Sequence, residues 1–344
     1  RINQMIIDIH SHIMDKSLMD RMGAPYLDSL VDVNSLLEVQ NAAGVDLNII
    51  SGPRIMEASL KSDMAPIDVV KTYNDFMADL VSRHPKNFQG LGLVDPRGGD
   101  EMFREMERGV KELGLRGFLV TSIIENEFID GIKDFAFFEM CHELDTVVFV
   151  HNREDCVGSE YMQENRLIEL IGRPNEMTVL AARLVFSGLM ERLPDLKIVL
   201  GRLGGAITMY AGRIQQSWSM SGAAAGTESN PDLISKGQVE WGDKRPWGTD
   251  NLSGSFLDSL RRMHLDCQTF YPATIAYGVE IMGEDQLLLG TDYPPVPRNP
   301  ASSIQDVKET GLSKVAQRKL LGDNAIRLFK LNEEALQHIV LDQV

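Results

Sequence analysis

Short apolar runs rich in Val, Ile and Leu recur along the chain, separated by longer segments with amphipathic or helix-favouring patterns. The runs predict strands at Met5–Asp8, Leu47–Ser51, Phe88–Val94, Leu115–Thr121, Thr146–His151, Lys197–Gly201, His264–Thr269 and Leu287–Thr291. The intervening patterns predict helices at Val33–Ala43, Pro66–His84, Gly99–Leu113, Phe135–Leu144, Glu176–Leu193, Ser255–Arg262, Pro272–Met282 and Ser313–Leu328. Near-continuous apolar strands that alternate with helices imply a parallel sheet covered by those helices. Eight such strands, ending on a helix, point to an α/β fold of the (β/α)8 or TIM barrel type. An open doubly wound sheet is the alternative, weakened because no G-x-G-x-x-G follows the first strand. Two stretches exceed a plain barrel connection: Ile13–Val31 after strand one and Ala206–Asn251 after strand six. The second carries Gly222–Gly226 and Trp241–Trp247, and both read as inserted loops of the kind that supply lids, substrate contacts or subunit contacts. With no internal repeat and no low-complexity linker, residues 1–344 read as a single barrel domain.

Composition narrows the function classes. The 344 residues are 43% hydrophobic and 24% charged, enough for a large core. A formal net charge of −16 argues against nucleic acid or an anionic membrane as partner, since both need a basic face. Cys141, Cys156 and Cys267 are odd in number, far apart and without CxxC spacing, so they read as reduced thiols of a cytoplasmic protein. No run reaches the roughly 18 apolar residues a membrane span needs. No charged-then-apolar leader precedes Met5, so no signal peptide is expected.

The chemistry is concentrated at the strand ends. In Met5–His12, His10 and His12 are two residues apart and would project to one side of an extended strand. His151 ends the fifth predicted strand and Asp292 follows the eighth. Strand C-termini line one mouth of a barrel, so these four groups would meet around one point. Three imidazoles and a carboxylate make a first shell for one divalent ion, Zn²⁺ before Mn²⁺ or iron, with room for a water. Singly, each residue has an ordinary structural explanation as a strand cap or turn residue; the convergence of all four favours metal. Ser11 and Asn152 are candidates for hydrogen bonds to the ligands. His264 reads as buried structure, Asp266 could face the barrel mouth, and His84, His142 and His338 read as surface residues. No Gly-x-Ser-x-Gly elbow or P-loop is present.

Several stretches carry a family resemblance: Asp8–His12, Val148–His151, Leu193–Gly205, Gly212–Ile214 and Gly290–Pro294. They run nearly the whole chain in order and resemble the amidohydrolase superfamily, in its family 2 branch of metal-dependent decarboxylases and hydrolases related to aminocarboxymuconate-semialdehyde decarboxylase. The resemblance implies a mononuclear site on His10, His12, His151 and Asp292. It also implies a homodimer or higher oligomer, in which Arg213 reaches a neighbouring subunit's site and pairs with a substrate carboxylate; a structural salt bridge is the other reading of Arg213. Arg54 falls where relatives place a substrate-binding arginine, against a surface role.

One position departs from the pattern. Relatives carry a histidine at the end of strand six where this chain has Arg202, and an arginine neither acts as a base near neutrality nor binds metal well. Strand four offers no lysine for a bridging carbamate, which disfavours a binuclear site. Arg202 could bind a substrate carboxylate, pair with Asp292, or mark a subunit that has lost or redirected its chemistry. The expected function is decarboxylation of a small carboxylated aromatic or enol-type substrate, with Asp292 or a substrate group moving the proton and Arg202 and Arg213 neutralising carboxylate. The alternatives are a partner subunit beside an active paralogue or part of a metal-dependent oxygenase, and then a C–N or C–C bond hydrolase.

Overall fold

The computed structural model describes residues 4–124, 126–131, 133–224 and 254–331, with backbone alone for 217–224. Among them each predicted strand is present, in order: β1 Ile7–His12, β2 Leu47–Ser51, β3 as two pieces Phe88–Gly90 and Gly92–Leu93, β4 Gly117–Thr121, β5 Val147–His151, β6 Lys197–Leu200, β7 His264–Asp266 and β8 Leu287–Leu288. Consecutive strands pair in parallel from β1 to the first piece of β3, and from its second piece to β8. Leu91 N–H, donating to the Ile50 carbonyl, carries the sheet across the break in β3.

β8 closes back onto β1. Ile9 N–H donates to the Leu289 carbonyl, Asp292 N–H to that of His10, and His12 N–H to that of Tyr293, at 2.7–2.9 Å. The result is a (β/α)8 barrel. Ile7, Leu47, Phe118, Val148, Ile198 and Leu287, one from each of six strands, are fully buried, as strands covered on both sides require.

β1 runs four residues past the predicted end at Asp8, because the backbone of its histidine end is held by both β2 and β8. A register shift between Asp8 and Ser11 adds one residue to β1 relative to β2. The shift turns Asp8 and Ser11 to the same side, toward Gln40 of helix Val33–Ala43. His10 and His12 remain together, with ring centroids 4.9 Å apart.

The connections differ from expectation in instructive ways. Ile13–Val31 is not plain loop: it holds helix Lys16–Met22, capped by Asp15 and stopped by Gly23 at φ 64°. The stretch after β6 begins with helix Ile207–Ala224, so the barrel keeps its sixth helix; Trp241–Trp247, like His338, lies outside the described residues. A third long segment, unmarked by the sequence pattern, follows β5. It runs from Asn152 through the 3-10 helix Ser159–Tyr161 to the π-helix Ile168–Gly172, which continues directly into helix Arg173–Phe186. The predicted helix at Glu176–Leu193 therefore starts a turn earlier and breaks at Gly188, where φ is 72°. Tyr293–Pro294 is a cis peptide. No helix among the described residues is long and apolar enough to cross a membrane.

Asp8 fastens the β8–β1 seam. Its carboxylate accepts from Thr291 N–H (3.1 Å) and Thr291 Oγ1 (2.6 Å), and also from Ser11 Oγ, Gln40 Nε2 and His10 N–H. Asp8→Ala would strand these buried donors. It is expected to lower unfolding free energy by about 2–4 kcal/mol, read by urea denaturation.

Candidate metal centre

Four side chains converge at the C-terminal mouth of the barrel. One ligand atom from each of His10, His12, His151 and Asp292 lies within 4.8 Å of the others. His10 Nδ1 meets Asp266 Oδ2 at 2.5 Å, and His151 Nδ1 meets the Asn152 carbonyl at 2.9 Å. With those Nδ1 hydrogens donated, each ring keeps a lone pair on Nε2. Neither Nε2 has a hydrogen-bond partner, although both are buried. Burying an unpaired imidazole nitrogen is costly, and two aimed into one cluster are the mark of an ion site. His12 Nδ1 lies 3.1 Å from Ser51 Oγ, and its Nε2 lies 3.1 Å from Asp292 Oδ1.

Asp292 divides its oxygens. Oδ2 accepts from Arg202 Nη2 and Gln268 Nε2, both at 2.9 Å, while Oδ1 faces the imidazoles. Arg202 in turn donates Nε–H to Asn152 Oδ1 at 2.7 Å, and its Nη1 has no partner among the described residues. Arg202, Leu203 and Asp292 all sit at φ between 56° and 58°. Such backbone at a non-glycine residue is held only where surrounding contacts impose it, and here it accompanies the site. Gly290 is required by proximity: a Cβ there would lie 2.9 Å from the Cβ atoms of both His10 and Asp266.

The electrostatics suit a cation. Burial, with His12 and His10 nearby, holds the His151 imidazole well below its ordinary range. Burial also lowers His12, so both rings are neutral donors. Burial disfavours charge on His10 as well, but Asp292 and Asp266 outweigh it and raise its pKa. The negative potential that favours a proton there favours a metal ion in the same place. Burial likewise works against the Asp292 carboxylate, yet Arg202 and the two histidines hold it well below the usual range.

The cluster opens into a cavity of about 230 Å³ lined by His12, His151, Arg202 and Asp292 at its inner end. Arg54, Glu154 and Arg173 also line it. Of the arginines singled out in the sequence, Arg202 therefore belongs to the cluster and pairs with Asp292, one of the roles considered for it. Arg54 lines the cavity in an ion pair with Glu154 at 3.2 Å. Arg213 is exposed and does not line it. Asn152 holds both His151 and Arg202, whereas Ser11 acts one step away, through Asp8. His264 is partly buried, and the desolvation of its ring lowers its pKa to about 4.

Three participants had little signal in the sequence. Asp266 was visible as a strand residue, but its partner His10 lies 256 positions away. Gln268, two positions on, orients Asp292, and an uncharged amide attracts no attention in a search for ligands. Arg173 comes from the long segment after β5, whose path the pattern of apolar residues does not reveal.

Residues 7–331 match the family described as amidohydrolase, and the chain belongs to that family. It is 29% identical over 330 residues to the 2-amino-3-carboxymuconate-6-semialdehyde decarboxylase of Dictyostelium discoideum, spanning 95% of this chain and 84% of the relative. Among solved structures it resembles 5-carboxyvanillate decarboxylase from Sphingomonas paucimobilis, with TM-score 0.78 and 20% identity over 96% of this chain and 100% of that one. It also resembles a dihydroxybenzoic acid decarboxylase from Polaromonas sp. JS666, solved with bound manganese and the inhibitor 2-nitroresorcinol. That match has TM-score 0.74 and 23% identity over 97% of this chain and 99% of that one. The histidine–aspartate cluster and the manganese-bearing neighbour together support a divalent metal here.

Asp266 fixes the His10 ring without touching the ion position. Asp266→Ala is expected to weaken Mn²⁺ binding about 10- to 100-fold, measured by calorimetry on metal-stripped protein, while the chain stays folded.

Proposed function

We propose that this chain is a metal-dependent decarboxylase of small carboxylated aromatic or enol-type substrates. The observation that carries the reading is the pair of buried, unpartnered Nε2 atoms of His10 and His151 beside Asp292, at the inner end of an arginine-lined cavity. The decarboxylase activity named for the relatives supports it, and those relatives lend nothing to an oxygenase or C–N hydrolase reading. His10, His12, His151 and Asp292 would hold one Zn²⁺ or Mn²⁺, since imidazole and carboxylate donors suit either. Bound there, the ion would serve as a Lewis acid toward substrate oxygen.

The chain's own groups do the rest. Arg202, with Asp292 and Asn152 fixing its orientation, offers its unpaired Nη1 to a substrate oxygen. Asp292 is the one carboxylate at the inner end of the cavity, and it moves the proton. Ionised in the resting site, it takes that proton from a substrate hydroxyl and gives it to the ring or enol carbon, its depressed pKa favouring the second transfer over the first. The carbon–carboxylate bond then breaks, its electron pair restores the π-system, and carbon dioxide leaves. An arginine in place of the family's histidine removes a neutral base but keeps a fixed cation, which harms water activation more than decarboxylation.

Oligomeric state and location complete the reading. Because Arg213 stands outside its own chain's cavity, only a second copy could bring it to a substrate, and a homodimer or higher oligomer is proposed on that ground. Cys141, Cys156 and Cys267 are free and buried, which supports a cytoplasmic setting.

Elemental analysis of the protein as isolated should find about one Zn or Mn per chain, lost in His10→Ala. Carbon dioxide release from a panel of carboxylated phenols should stop on metal stripping, and Arg202→Met should lower kcat about 100-fold. Unchanged turnover in the stripped protein, or none from the loaded protein on any member of the panel, would overturn the assignment.

A further inference from the structure

The cavity holds more positive charge than its ion pairs use. Four guanidiniums line it (Arg54, Arg166, Arg173 and Arg202) against three carboxylates (Glu154, Glu169 and Asp292). Three of the arginines are matched: Arg202 with Asp292, Arg54 with Glu154, and the exposed Arg166 with Glu169 through Nε and Nη2. Arg173 is different. It is half-buried, and among the described residues it contacts no carboxylate, donating only from Nε and Nη2 to the Glu154 backbone carbonyl at 3.3 Å. Those two bonds are longer than the usual range for an N–H donor, so they anchor the side chain without satisfying its charge. Burial lowers the Arg173 pKa, and the neighbouring Arg202 and Arg54 act in the same direction, outweighing the opposing pull of Glu154 and Glu169. A half-buried cation that contacts no carboxylate and has two cationic neighbours gains when an anion enters the cavity.

We propose that Arg173 is a specificity-determining residue that binds a second carboxylate of the substrate, so that the site selects dicarboxylates over monocarboxylates. This rests on the decarboxylase reading for the fate of the first carboxylate, the one that Arg202 meets at the inner end. The second carboxylate stays on the product. Planar, forked hydrogen bonding makes arginine suited to hold it, and Arg54 flanks the same position from the end of β2.

The test measures binding and needs no turnover. Benzene-1,3-dicarboxylate and benzoate are titrated by calorimetry into the Mn²⁺-loaded protein and its Arg173→Met and Arg173→Lys variants. Wild type should bind the dicarboxylate roughly ten-fold or more tighter than benzoate, the scale of one charge-assisted contact. Arg173→Met should erase that preference and leave benzoate affinity within about two-fold of wild type, and Arg173→Lys should retain part of it. If the Met variant does not fold by thermal melt, Arg173→Gln, which can still donate to the Glu154 carbonyl, is read for the same ratio. No preference in wild type, or equal loss of both ligands in the neutral variant, overturns the proposal. A preserved, Arg173-dependent preference in a protein that releases no carbon dioxide from any carboxylated phenol would sink the decarboxylase reading and leave the dianion site standing.

Discussion

The site depends on the closure of the barrel between β8 and β1. His10 and His12 belong to the first strand, while Asp292 follows the last one, some 280 residues later. Only the seam brings them together, and it is made of few parts: three backbone hydrogen bonds and the carboxylate of Asp8. Asp8 holds Thr291 next to Asp292 and the His10 backbone next to its own strand, so one buried carboxylate sets the spacing between three candidate ligands. Closing a loop of that length is entropically costly, and many fully buried apolar side chains along the eight strands offset the cost. The barrel thus supplies the free energy and the seam supplies the geometry.

Arg202 works against the background of that geometry. A histidine at the end of β6 could be a neutral ligand or a base; a guanidinium can be neither, so it reorganises the polar network around itself. It bonds to Asn152, which also receives the His151 hydrogen, and to Asp292, which Gln268 holds from the other side. These contacts leave Asp292 Oδ1 directed at the imidazoles and Arg202 Nη1 without a partner. The consequence is a centre with a fixed guanidinium and no neutral base in place of the strand-six histidine, a combination that suits the proposed decarboxylation better than hydrolysis.

How much of this could be read from the sequence follows from the range of the interactions. The eight strands are local in origin: the apolar run Leu47–Ser51 coincides with β2, and most others lie within a residue or two, while β1 extends to His12 and β7 and β8 stop at Asp266 and Leu288, three residues short of their apolar runs. His10, His12, His151 and Asp292 were legible because barrel topology turns strand ends into neighbours. The bulge in β1 was not, because it depends on pairing with β2 and not on any residue in Asp8–Ser11. Asp266 and Gln268 were obscure for the same reason: their meaning lies in the partners His10 and Asp292. Arg173 carried no pattern at all. Its position depends on the irregular stretch after β5 and on the π-helix Ile168–Gly172 that leads into its helix, neither of which the apolar pattern marks.

The charge distribution links the site to the whole molecule. A chain with net charge −16 looks unsuited to anionic substrates. Yet screening limits exposed charges to about 8 Å at physiological ionic strength, so most of the surface acids do not reach a substrate inside the barrel mouth. What it meets there is the excess of guanidinium over carboxylate, in a partly enclosed cavity with reduced dielectric screening. Surface acids repel bulk polyanions, while under the proposed function the arginine-lined mouth would admit a small anion that fits within it. On that reading the local excess governs recognition, and the sign of the total charge does not.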